Sequence, residues 1–318
     1  VGSALSWLKN NLPAPDVIVV AGSSAGSIGA PVHANHLAWH YKTGRVIALS
    51  DDAGSISKGF SSPENWGHPH TLKEHAGWED HEPGEFALYR TAVKDRPNLR
   101  LYQINHAYDE AQHFYLERTG IEDPDVYQRL QENFRQLKTV SPEFRSYTLG
   151  GTTHTTLSYP VFYQYKEDGV LLHKWMTEII EGKEVEDITC KQCNKPSFEF
   201  DRYDLQLIDG MLQLFAQEEK WDPKCTGNCP RGASTFSLGC AVKEAARINE
   251  LDHDRAAMWE LIYTCSNKPG IWKGIHPLTE FNNSEGRTYQ EVIELLEYVR
   301  NKIQNTLNES GQYLKKPN

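Results

Sequence analysis

No cysteine occurs before position 190; all six, Cys190, Cys193, Cys225, Cys229, Cys240 and Cys265, lie at or beyond it. Any disulfide or thiolate-bound metal therefore belongs to the part of the chain beyond residue 185. No apolar run approaches the roughly 20 residues that a membrane-spanning helix needs. No secretory signal opens the chain. No Gly-x-Gly-x-x-Gly follows a strand with an acidic residue downstream, which removes a dinucleotide-binding oxidoreductase. An excess of basic residues is also missing: 33 Lys and Arg face 43 Asp and Glu, for a formal net charge of −10. That balance argues against a grip on nucleic acid by phosphate neutralisation and against docking on an anionic membrane face. Position 1 is Val1 rather than Met, inside a stretch that already reads as helix, so the start is expected to be a cut and says nothing about compartment.

What is present suits a folded chain of about two domains: 318 residues, 39% hydrophobic and 24% charged. Up to about residue 182, short apolar runs alternate with amphipathic stretches. Residues 16–21 form a β-branched run ending at glycine, the pattern of a strand buried on both faces. Residues 45–50, 98–104 and 144–149 are further strands, and 27–41 and 125–138 are helices. Alternation of this kind predicts βαβ units and a mostly parallel sheet.

Beyond residues 181–183 the strand signal fades. Leu205, Ile208, Leu212 and Phe215 recur at helical spacing, and 237–249 and 256–263 read alike. Thr288 and Glu291 have capping-box spacing before a final helix with the stripe Val292, Leu295, Leu296, Val299 and Ile303. The expected organisation is an α/β domain over 1–185, a polar linker over 186–200 and a small all-α domain over 201–318.

Gly22-Ser23-Ser24-Ala25-Gly26 fits G-x-S-x-G. The pentapeptide gains meaning from its setting, because a buried strand runs into it and a helix leaves it, as in a nucleophile elbow. Such a turn is tight, so Gly22 and Gly26 are expected to relieve crowding. Ser24 would be the nucleophile, and the Ala25 N–H one oxyanion donor. The competing reading is a glycine-rich turn with a solvent-facing serine. A serine hydroxyl needs a base, and the base an orienting acid, in the chain order Ser, Asp or Glu, His. His154 and Asp109 both follow strand candidates and satisfy that order. Asp52, in Asp51-Asp52-Ala53-Gly54, is the other candidate for the acid, or else shapes the pocket mouth. His33, His36 and His40 share a helix face that could hold a metal, but no His-Glu-x-x-His and no completing carboxylate accompany them.

Four ordered strings resemble the pectin acetylesterase family with its Notum-like carboxylesterases: residues 22–26, Ser50-Asp51-Asp52-Ala53-Gly54, Tyr108-Asp109-Glu110-Ala111-Gln112 and Gly151-Thr152-Thr153-His154-Thr155. The resemblance covers residues 1 to about 193. It implies an α/β-hydrolase sheet whose early strands are absent here, Ser24, Asp109 and His154 as the triad, and hydrolysis of acyl esters on carbohydrate or protein without a cofactor. The family's glycine-rich oxyanion loop would lie upstream of Val1. The relatives are exported. The expected activity is removal of a short acyl group, acetyl, from a carbohydrate; the alternative is an inactive hydrolase-like scaffold whose helical part binds a partner. Residues 238–245 and 281–288 resemble a small bacterial helical domain of unknown function.

Cys190-x-x-Cys193 and Cys225-x-x-x-Cys229 have spacings that could form a four-thiolate zinc site, although 31 residues between the pairs is long for a compact ribbon. Disulfides are the other expectation. Cys240 sits among apolar neighbours and reads as a buried helix residue. By the resemblance, Cys-x-x-Cys closes the hydrolase domain and its partner cysteine lies upstream of Val1.

Overall fold

The computed structural model describes residues 2–52, 54–55, 85–224, 229–266 and 277–310. They divide into two compact units, one of residues 1–158 and 165–197, the other of 159–164 and 198–318.

In the first unit, four strands run in parallel: β1 Val17–Ser23, β2 Arg45–Asp51, β3 Leu99–His106 and β4 Arg145–Leu149. Each overlaps an apolar run expected to be a strand. The first three run on past it, so that Ser23, Asp51 and His106 stand at their carboxyl ends. A fifth strand, β7 Ile188–Thr189, pairs in parallel with β4 through Tyr147 and Thr148. It lies within residues 186–200, where a polar linker was expected, and its two residues are too few to give a periodicity. A hairpin of β5 Lys166–Glu167 and β6 Val170–Leu171 stands apart from the sheet. The sheet order is β1-β2-β3-β4-β7, with β1 at an edge, where Val19 is 41% exposed.

The helices of this unit are α1 Gly2–Asn11, α2 Ala25–His40, α3 Glu85–Val93, α4 Glu110–Arg118, α5 Val126–Val140 and α6 Leu172–Glu181. Apolar residues lie almost all round α2, and ten of its sixteen positions are buried, so it is a core helix rather than a surface one. Ala34 and Ala38 of α2, Tyr89 of α3, Leu130, Phe134 and Leu137 of α5, and Val46, Ala48 and Leu101 of the sheet form one apolar cluster. This core packs α2, α3 and α5 against the sheet.

The regular elements described in the second unit are helical: α7 Arg202–Leu214, α8 Leu238–Ile248, α9 Ala256–Ser266, α10 Pro277–Asn283 and α11 Tyr289–Ser310, with short 3₁₀ turns. Thr288 and Glu291 cap α11 reciprocally: the Thr288 N–H donates to Glu291 Oε2 (2.9 Å) and the Glu291 N–H to Thr288 Oγ1 (3.3 Å). The stripe from Val292 to Ile303 is buried. On α7 the buried positions include Leu205, Ile208 and Met211, while Leu212 is half-buried. Gly210 lets α7 and α8 approach closely, because a Cβ there would lie 3.2 Å from the Ala245 Cβ and 2.8 Å from Asn249 Nδ2. Among the described residues no helix is long and apolar enough to cross a membrane.

Candidate active site

At the end of β1 the chain turns sharply into α2. Ser24 occupies the turn with φ 55° and ψ −125°, a region that residues with a Cβ rarely enter. Its backbone is pinned from two sides. The Ser24 N–H donates to the Asp51 carbonyl (2.8 Å), and Ser27 Oγ donates to the Ser24 carbonyl (2.7 Å). A Cβ at position 22 would lie 2.1 Å from the Gly26 carbonyl oxygen, so only glycine fits. At position 26 it would meet nothing within 4 Å. The crowding expected of both glycines is therefore found at Gly22 alone. Ala25 and Gly26 are exposed in the first turn of α2, where backbone N–H groups lack intrahelical acceptors and the helix dipole is positive.

Asp109 follows β3 and is the N-cap of α4. Its Oδ1 accepts from the Ala111 and Gln112 N–H groups (2.8 and 3.0 Å), and its Oδ2 from Gln112 Nε2 (2.9 Å). The side chain is fully buried. His154 follows β4 on a loop stitched to the Asp109 loop, where Tyr108 and Glu110 N–H donate to the Gly151 and Thr152 carbonyls. His154 Nδ1 lies 2.7 Å from Asp109 Oδ2, and Nε2 lies 2.8 Å from Ser24 Oγ. A carboxylate, an imidazole and a hydroxyl thus form one hydrogen-bonded chain from three strand ends. Asp109 accepts only, so the proton on Nδ1 points to it, and Nε2 is left to accept from Ser24.

The His154 pKa is raised above the ordinary 6.5. Burial pulls it down, but the Asp109 hydrogen bond and the charges of Asp109, Asp52 and Asp51 outweigh that. Three non-glycine residues of this region have positive φ: Ser24, Asp52 (56°) and Thr155 (66°). Such strain persists only where the surroundings over-determine it.

Asp52 does not occupy the position of the acid that orients His154. It is fully buried and takes no part in the chain through His154; its Oδ2 lies 2.8 Å from His106 Nδ1 and accepts from the Thr155 N–H, while Oδ1 accepts from the His106 N–H. It is therefore not the hydrogen-bonded partner of His154. Burial pushes its carboxyl up to about 6 against the pull of His106, and His106 is raised because Asp52, Asp109 and Asp51 overcome its own burial. His106, Ser23 and Asp51 had no assigned role in the sequence. The one signal for them was the pair of adjacent acids at a strand end.

Cys190 is bonded to Cys193, and Cys229 to Cys240. This corrects the four-thiolate alternative, with Cys225 lying outside the described residues, and the expectation of an upstream partner for Cys190-x-x-Cys193. Cys240 is buried on α8, as its apolar neighbours led one to expect, but as half of a disulfide. The Cys193 carbonyl accepts from the Gly151 N–H (2.8 Å), so the first crosslink backs the turn that leads to His154. Among the described residues no group of three or more His, Cys, Asp or Glu is placed to hold a metal, His33, His36 and His40 included. A groove of about 900 Å³ along α5 is lined by Arg129, Glu132, Arg135, Lys138 and Asp187, with none of the residues around Ser24. Four of its charges pair with one another, Arg135 with Glu132 and Lys138 with Asp187, while Arg129 Nε donates to the Ser55 carbonyl.

Comparison with protein-family models and with curated proteins finds no match.

Proposed function

We propose that this chain is a serine carboxylic ester hydrolase of the pectin acetylesterase type that removes a short acyl group, acetyl, from a carbohydrate. The observation that carries the reading is the Ser24–His154–Asp109 hydrogen-bonded chain at 2.8 and 2.7 Å. In the proposed reaction Ser24 Oγ attacks the ester carbonyl carbon while His154 Nε2 takes the hydroxyl proton. The carbonyl oxygen becomes an oxyanion, and the Ala25 N–H at the positive end of α2 donates to it. Collapse breaks the bond to the sugar oxygen, which takes the proton from His154 and leaves as the free hydroxyl. A water molecule deprotonated by His154 then attacks the acyl-serine, and the acid leaves as Ser24 regains its proton. Asp109 holds the imidazole in the working tautomer and stabilises its charged form. The choice of a short acyl group on carbohydrate rests on the four motif strings, as does the family. No step calls for a cofactor.

The test is reaction with a fluorophosphonate, which phosphonylates a serine activated by a neighbouring imidazole. Ser24-dependent labelling, lost in Ser24→Ala, is the expected result, followed by release of acetate from acetylated oligosaccharides in preference to longer acyl esters. A folded wild-type chain that takes no label overturns the reading.

A further inference from the structure

Two consecutive carboxylates at the end of β2 stand outside the proton relay, yet both reach the segment that carries His154. Asp51 Oδ2 accepts from Ser23 Oγ at 2.6 Å. The same carboxylate accepts from the Thr156 N–H, 3.0 Å from each oxygen, and from the Leu157 N–H at 3.0 Å. One side chain thereby joins the residue before Ser24 to the second and third residues after His154. Asp52 extends the pattern to Thr155, whose N–H lies 2.8 Å from its Oδ2. Neighbouring side chains on a strand point to opposite faces, so two of them serve one loop only where the backbone reverses. The reversal is visible in the φ of 56° at Asp52, and the facing Thr155 has φ 66°. Both carboxylates are fully withdrawn from solvent. Burying such groups is costly even when they are hydrogen-bonded, and apolar side chains would serve cohesion as well.

The geometry points to Asp51, backed by Asp52, as a positioning residue that sets the Ser24–His154 separation by tying the nucleophile turn to the base-bearing loop. This rests on the proposed roles of Ser24, His154 and Asp109. The turn comes from β1 and the loop from β4, two strands that are not neighbours in the sheet. The 2.8 Å contact between Ser24 and His154 therefore depends on what spans the gap, and β2, whose end carries Asp51, adjoins β1.

The experiment uses the full 318-residue chain and a fluorophosphonate, with the maximal labelling rate and the half-saturating concentration measured separately. Variants are Ser23→Ala, Ser23→Thr and Asp51→Asn, with thermal unfolding followed alongside. Ser23→Ala removes only the tie to the turn and is expected to lower the maximal rate about tenfold, as loss of one hydrogen bond to a charged group would. Asp51→Asn is expected to lower it about 10²-fold, the cost of misplacing reacting groups by an ångström. Half-saturation stays unchanged in both, and Ser23→Thr, which keeps the hydroxyl, recovers most of the rate. Should Asp51→Asn fail to fold, the Ser23 pair decides alone. Wild-type labelling with an unaltered rate in Ser23→Ala, or a loss that Ser23→Thr leaves in place, overturns the clamp and leaves the esterase reading standing. A folded wild-type chain that takes no probe overturns both.

Discussion

In the first unit Asp51, Asp52 and Asp109 are withdrawn from solvent and bound by backbone amides, a serine, a glutamine and two imidazoles; in the second, Asp204 is equally withdrawn but faces a guanidinium. Asp204 Oδ1 lies 3.4 Å from Arg255 Nε and accepts from the Ala257 N–H, and Oδ2 accepts from Gln164 Nε2 and the Asp201 N–H. Asp201 caps α7 and pairs with the same arginine. Burial raises the Asp204 carboxyl to about 6 despite Arg255. Both clusters satisfy their buried oxygens, and they differ in whether the partner can part with a proton. A guanidinium keeps its proton throughout the accessible pH range, whereas an imidazole exchanges one near neutrality. The arginine cluster is thereby confined to holding α7 to the start of α9, while in the proposed reaction His154 alone of the histidine cluster moves a proton to and from Ser24.

The largest effect that would break this contrast is in the relay. Asp109→Asn offers His154 an amide in place of a carboxylate and favours the wrong tautomer, so hydrolysis is expected to fall about 10⁴-fold with the fold retained. Ser24→Ala should do at least as much, and near-normal turnover of an activated ester by either variant would remove the relay from the mechanism. Next comes Arg255→Leu, which strands a buried carboxylate and should cost about 3 kcal/mol of stability. Because Asp204 already titrates high, protonation relieves the stranded charge, so the loss in urea unfolding should be smaller at pH 5 than at pH 8. The rate of Ser24 labelling in the folded fraction should stay at its wild-type value; a parallel drop would merge the two clusters into one functional unit.

A smaller effect sharpens the histidine side. His154 must be neutral to accept the Ser24 proton, and its raised pKa means that the neutral form fills in only above the ordinary 6.5. The acid limb of the rate profile should thus have its midpoint above 6.5, with the rate falling about tenfold per pH unit below it. A midpoint under 6.5 would mean that the aspartates do not act on His154 as described. The smallest effect concerns the motif. Gly26→Ala places a methyl in open space in the first turn of α2 and should raise stability by up to about 1 kcal/mol, read as a small rise in Tm. Gly22→Ala collides with the Gly26 carbonyl and should prevent the turn from forming.

Much of this was legible before any tertiary contact was known. Four short runs were sufficient to mark the parallel strands, but of the two unbroken apolar strings only β2 is buried along nearly its whole length, as such a string suggests. The other, β1, lies at the sheet edge and has no fully buried residue. Thr288 and Glu291 announced the start of α11, because a capping box is a local hydrogen-bond pattern with fixed spacing. Ser24, as the residue of a tight turn between a strand and a helix, was local too. The choice between Asp109 and Asp52 was not. Both follow parallel strands that lie side by side, with Asp51 opposite Ile104, so chain order treats them alike, and motif resemblance alone favoured Asp109. Only the packed loops bring Asp109 to His154 and send Asp52 to His106. The same holds for Cys229 with Cys240, for the two-residue strand at Ile188, and for the different demands on Gly22 and Gly26. Sequence by itself determined what repeats along the chain or closes within a turn, because those interactions involve near neighbours. The tertiary structure decided which carboxylate meets which imidazole, because hydrogen bonds between segments some 45 to 130 residues apart exist only once the core has brought the strand ends together.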